Sequence, residues 1–163
     1  MISAAALLLM AVGEPVTAEA ALRGLERREW TAFYERAAER VRQDRLEEAA
    51  LAFYVGQLRG RTAVACRRPP EDEAPALLAS FNSVLGEPIN RWVGGSVKRW
   101  LRVIDGAIAW EQAHPDPATA GPDCAAAREQ VGAGLKSMRA EIAATADQIR
   151  RERAANGLPN EAE

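Results

Sequence analysis

The chain has 163 residues, the size of one domain, with 48% hydrophobic and 27% charged residues, which is ordinary for a globular protein. Its 21 Lys and Arg stand against 23 Asp and Glu, a net charge of −2, and that balance argues against the concentrated basic surface a polyanion binder needs. Arg far outnumbers Lys and Ala dominates the apolar set, a bias that GC-rich codon usage produces without any nucleic-acid surface.

The first twenty residues, MISAAALLLMAVGEPVTAEA, read as a secretory signal peptide. Ala4 to Val12 is an unbroken apolar run, Gly13 and Pro15 end it, and Ala18-Glu19-Ala20 places small residues where a signal peptidase reads them. Cleavage is expected after Ala20, and the exported chain is expected in the periplasm or outside the cell. No Lys or Arg precedes the apolar run, so the alternative of an N-terminal core helix in a cytosolic protein stays open. A membrane span needs about 20 apolar residues, and Glu14 and Glu19 interrupt this stretch; no stable span is expected in the mature chain. Residues 1–20 carry two acids and no base, so the mature chain balances at 21 of each.

No sustained alternation of apolar and polar residues marks a strand. Helical spacing is found throughout, and the expectation is an all-α bundle of four to five main helices plus a short helical turn. The domain is taken as residues 21–157, with 158–163 as a frayed tail. The first mature helix is expected from about Leu22 to Gln43, with Trp30, Phe33, Tyr34, Ala37, Ala38 and Val41 inward. A polar turn with Asp44 follows. The second helix, about Arg45 to Arg67, is apolar almost all round between Ala49 and Val55, as a central helix is. RRPPEDEAP, residues 67–75, reads as a linker. A third helix is expected from Pro75 to Leu85, ended by Gly86, with Pro88 opening a short turn near Ile89–Val93. Gly94-Gly95 is a break and Ser96 caps a fourth helix, Val97 to Ala113. His114 to Asp123 is an exposed loop. The last helix is expected from Pro122 or Asp123 to Ala155, where Asn156-Gly157 supplies a stop.

Two cysteines, Cys66 and Cys124, are expected to pair in an exported protein; free buried thiols are the alternative if the chain stays in the cytosol. Nothing in the sequence assembles a catalytic or metal set. His114 is the single histidine and lies in a turn. No Cys/His/carboxylate cluster has metal-ligand spacing, and no nucleophile elbow, phosphate loop or dinucleotide turn is found. No catalytic residue, metal or cofactor is therefore expected. Glu47 and Glu48 read as a solvated face.

The polar residues that interrupt apolar stretches are Gln57, Arg59, Asn90, Trp92 with its indole N–H, and Asp105. Gln57 follows Phe53 by four and Arg59 follows Val55 by four, so both face a covered side and require partners. Candidate partners for them are Asn90, Asp105 and the carbonyls of Gly94-Gly95, and Asp105 is read as an acid for Arg59 or Arg91. One reading makes these residues a brace between the helical hairpin and the third-to-fourth helix connection. The other makes them a pocket for a small molecule or a reaction, and requires them to converge on a solvent-open cavity.

Two resemblances add to this. Phe33, Ala37, Ala49, Phe53 and Gly56, with Asp44 at the turn, fall at the packing positions of a single tetratricopeptide-type hairpin. That likeness covers about 35 residues, with no second copy at the period of such arrays and with Arg61 where the motif has proline; it implies one hairpin, not a solenoid. FYVGQLR, LGEPINRWVGG and WLRVIDGAIAWEQAHPD, spanning Leu51 to Asp116, resemble segments of an uncharacterised class of bacterial secreted helical proteins. That likeness implies a natural domain and no mechanism. The function expected from all of this is a non-catalytic periplasmic module that binds another protein, as an adaptor or an immunity-type inhibitor. The alternative is a small-molecule binder or enzyme around Gln57, Arg59 and Asp105.

Overall fold

The helix that is apolar nearly all round is the axis of the fold. In the computed structural model, which describes residues 15–66 and 73–161, the described residues form seven α-helices and one 3-10 turn, with no strand among them. These are α1 (Ala18–Leu22), α2 (Trp30–Arg42), α3 (Leu46–Cys66), α4 (Ala74–Val93), α5 (Val97–Ala113), the 3-10 turn Pro122–Cys124, α6 (Ala125–Ala144) and α7 (Ala146–Ala155). Helix α3 is packed by α1, α2, α4, α5 and α6, and every residue from Glu48 to Gly56 is buried. A helix without a polar face has no side to give to water, so its neighbours must surround it.

The α2–α3 hairpin is the tightest contact. Asp44 turns the chain at φ 56°, in the left-handed region that Asp tolerates better than most residues. Gly56 lets the helices close: a Cβ there would lie 3.1 Å from the Tyr34 ring and 3.2 Å from the Phe33 Cβ. One turn on, a Cβ at Gly60 would lie 3.0 Å from the Trp30 ring. Phe33, Ala37, Ala49, Phe53 and Gly56 are all buried at this hairpin.

Four boundaries differ from the expectations. The helix expected from Leu22 begins only at Trp30, because Gly24 takes φ +83° and the chain turns through Leu25–Glu29 between the short α1 and α2. Gly86 and Pro88 do not end the third helix: α4 runs through both to Val93. Pro88 removes one N–H that would have bonded the Val84 carbonyl, but Val84 is 70% exposed, so water can serve that carbonyl, while Leu85, Ile89 and Val93 stay buried along the inner face. The last helix opens with a 3-10 turn and is interrupted at Thr145, whose N–H and hydroxyl both donate to the Glu141 carbonyl at 2.9 and 2.8 Å. The segment taken as a frayed tail is instead folded back as far as Glu161, whose N–H donates to the Gly95 carbonyl at 2.8 Å.

Of the expected leader, residues 1–20, residues 1–14 lie outside the described residues. Thr17 caps α1 by accepting from the Ala20 N–H at 3.3 Å, so the expected cleavage point after Ala20 falls inside this short helix. The linker residues 67–72 also lie outside the described residues. Cys66 and Cys124 form a disulfide with Cα atoms 5.1 Å apart, tying the end of α3 to the 3-10 turn before α6.

Candidate functional site

The polar residues singled out in the sequence do not converge. Arg59 has no exposed side-chain surface and every one of its nitrogens is engaged. Its Nε donates to Glu111 Oε2 at 2.8 Å, Nη1 to the carbonyls of Glu26 at 3.2 Å and Arg28 at 3.4 Å, and Nη2 to the His114 carbonyl at 2.6 Å. The guanidinium also sits 4.7 Å from the Phe33 ring centroid and 5.1 Å from that of Trp110. Arg59 is therefore a brace, as one of the two readings had it, but it joins other parts. It ties α3 to the α1–α2 turn and the end of α5, not to the α4–α5 connection. Neither Asp105 nor Asn90 is its partner.

Gln57 belongs to a second set. Its Nε2 donates to Asn82 Oδ1 at 2.9 Å, and the Tyr34 hydroxyl donates to the same oxygen at 3.0 Å. Asn82 thus joins α2, α3 and α4 through one carbonyl oxygen, and burial raises the Tyr34 phenol well above its usual range. Asn82 was missed in the sequence; its place beside Phe81, four residues after Leu78, was the available signal. Asp105 is exposed on α5 and pairs with Arg139 of α6 through two bonds of 2.8 and 2.9 Å, rather than with Arg59 or Arg91. Those bonds hold its carboxyl below the usual carboxylate range. Asn90 is exposed on α4, and Trp92 lies half-buried under the Arg99 guanidinium, 4.0 Å from its ring centroid.

The His114–Asp123 loop is less exposed than expected. The Asp116 carboxylate accepts from the Ala118 N–H at 3.0 Å and the Thr119 hydroxyl at 3.1 Å, and both Asp116 and Thr119 are buried. The Asp116 N–H in turn donates to Glu111 Oε1 at 3.3 Å. Burial pushes the Glu111 carboxyl up, and its bonds with Arg59 oppose that shift. The His114 ring stacks on Trp110 with centroids 4.6 Å apart and holds its Nδ1 3.1 Å from the Trp110 carbonyl. Glu48 is also not on a solvated face: it is buried between Arg40, 2.9 Å away, and Arg45, while Glu47 receives Arg102 at 2.8 Å.

What remains open lies along α6. This helix buries only Ile142 and leaves a groove on each side. The first, of about 390 Å³, lies between α3 and α6 and is walled by Tyr54, Leu58, Val131, Leu135 and Met138, with Gln57, Arg61 and Gln130 at its edge. Trp100 Nε1 donates to the Tyr54 hydroxyl at 2.7 Å, and burial pushes that phenol up to about 12. The second groove, of about 490 Å³, is bounded by Leu58, Thr62 and Ile108, with Gln112, Glu129 and Lys136 around it. Gly132 and Gly134 of α6 face open space, where an added Cβ would meet nothing within 4 Å. No neighbour packs closely against these two glycines among the described residues; they thin the helix beside the grooves.

Among the described residues, no group of three His, Cys, Asp or Glu is placed to hold a metal ion, and no helix is long and apolar enough to cross a membrane. No family model, no curated protein and no solved structure matches the chain.

Proposed function

We propose that this chain is an exported, non-catalytic helical module that binds another protein along the face built by α3 and α6. One observation carries the reading: the buried polar side chains are spent on holding helices together, while the open surface beside α6 is mostly apolar. Arg59, Glu111, Asp116, Gln57 and Tyr34 each bond within the fold. The groove walls instead offer Leu58, Val131, Leu135 and Met138, the kind of surface on which a partner's apolar side chains gain by leaving water. The pocket reading around Gln57, Arg59 and Asp105 required convergence, and these three side chains are bonded to three different partners.

Export rests on the leader and on the disulfide, since such bonds persist in oxidising compartments. Adaptor and immunity-type inhibitor are both roles such a module serves. Intact-mass measurement of the protein from its native host tests the export step. A chain beginning at Ala21 with two hydrogens fewer than the dithiol form is expected; an intact Met1 with both thiols reduced would remove the periplasm from the account.

A further inference from the structure

Residues 158–161 occupy a site that the α4–α5 turn builds around Arg99. Trp92 of α4 supplies a flat wall, and Arg99 of α5 lies on it with its guanidinium 4.0 Å from the ring centroid. Arg99 also donates to the Trp92 carbonyl, which fixes the fork in place. Only 11% of its side chain is exposed. The Glu161 carboxylate takes both forward nitrogens of the fork, one of them at 2.9 Å, and its backbone N–H donates to the Gly95 carbonyl at 2.8 Å. The paired Arg99 holds the Glu161 carboxyl below its usual range. Behind Glu161, the Pro159 carbonyl accepts from Arg153 Nη2 at 2.9 Å, and Leu158 and Pro159 line one depression with Pro88 and Trp92.

The two glycines of the turn make this approach possible. A Cβ on Gly95 would lie 2.9 Å from Arg99 Nη2 and 3.0 Å from Glu161 Oε1, and one on Gly94 would lie 3.0 Å from Arg153 Nη1. Bare backbone, a fixed cation on an aromatic wall and an apolar depression are the parts that read an extended peptide. The carbonyl pairs with the peptide's N–H and the arginine fork takes a carboxylate, while the proline two residues before that carboxylate borders the depression beside Pro88 and Trp92.

We propose that the Trp92–Gly95–Arg99 corner is a binding site for an extended acidic peptide of the proline–any–glutamate type, and that residues 158–161 are its occupant in cis. The occupant in trans is such a segment of a partner protein, which displaces the chain's own. The site lies apart from the α3–α6 grooves and stands whether or not those grooves bind anything. A tethered segment competes at an effective concentration in the millimolar range, so a partner must exceed that or the tether must be weakened first.

The probe is the synthetic peptide GLPNEAE, residues 157–163, titrated into isotope-labelled full-length protein while amide and indole shifts are followed. The full-length Glu161→Ala variant, whose own segment has lost its carboxylate, is expected to bind the peptide saturably. Its amides at Gly94, Gly95 and Arg99 and the Trp92 indole should move, and wild type should bind about tenfold more weakly because its site is filled. The same peptide with glutamine at the position of Glu161 should lose binding, a result independent of how well any protein variant folds; adding Arg99→Gln to the Glu161→Ala chain should abolish it as well. No shifts in the Glu161→Ala chain at a few millimolar peptide, or equal binding of the glutamine peptide, would overturn the proposal. So would a wild-type chain that dimerises in solution only when both Arg99 and Glu161 are present, which would make the corner a self-association contact.

Discussion

Arg59 is fully buried, and its environment is exacting. A guanidinium carries five N–H donors and cannot shed its charge, so a buried arginine demands acceptors on all sides. Here one carboxylate and three backbone carbonyls meet that demand, and two aromatic faces cover the plane. Arg59→Met is therefore expected to cost about 3–5 kcal/mol of folding stability, because it leaves Glu111 and three carbonyls with less than they need. Arg59→Lys should recover little of this, since an ammonium cannot reproduce a planar fork that reaches four acceptors. Urea unfolding followed by tryptophan fluorescence measures both. The need for partners was legible from the four-residue spacing of Val55 and Arg59. Their identity was not, because three of the four acceptors are carbonyls freed by a turn at Gly24 and by the end of α5. Side-chain chemistry in the sequence carries no mark of which carbonyls a turn will leave unpaired. Asp105 fails for a related reason: its partner Arg139 lies on a helix whose rotation a one-dimensional pattern does not fix.

At the level of elements, the glycines separate into two kinds. Gly56 and Gly60 sit where α3 meets Trp30, Phe33, Tyr34 and Leu78, and an added methyl would press on fully packed neighbours at 3.1 and 2.9 Å. Gly56→Ala should therefore destabilise by about 1–3 kcal/mol through overpacking, although alanine is the better helix former by about 1 kcal/mol. At Gly134, which faces open space, the same change should stabilise by that helix-propensity amount. A pair of thermal melts distinguishes the two positions, and melting shifts of the same sign would contradict the packing. The hairpin, the central helix and the span of α5 were all readable, because small and large residues alternate there at helical spacing. The continuity of α4 was not: Gly86 and Pro88 are stop signals locally, and burial of Ile89 and Val93 on the far side overrides them. The docking of residues 158–161 escaped as well, since its partners lie some sixty residues back at Gly95 and Arg99.

For the molecule as a whole, the disulfide and the loose seat of α6 belong together. Cys66 and Cys124 are 58 residues apart in sequence, and closing a loop of that length stabilises by about 4 kcal/mol in the chain-entropy model. The bond fixes the start of α6, which otherwise buries only Ile142 and is joined to α5 by the exposed Asp105–Arg139 pair. In a Cys66→Ser, Cys124→Ser chain, amide exchange should rise along α6 well before it rises in α3, with global stability reduced by about that amount. Protection lost equally in α3 and α6 would mean that the bond holds the whole core. A helix clamped at one end, weakly buried along its length and bordered by two apolar grooves is the surface on which the proposed partner contact rests.

If the face beside α6 is where this protein meets another, site-specific photocrosslinking in the native host will capture that contact. A photoreactive residue at Gln130, on the groove edge, is compared with one at Glu35, exposed on α2 away from both grooves. A discrete protein adduct is expected from position 130 and none from position 35. The proposed contact is contradicted if position 130 yields no adduct, or if both positions yield the same one.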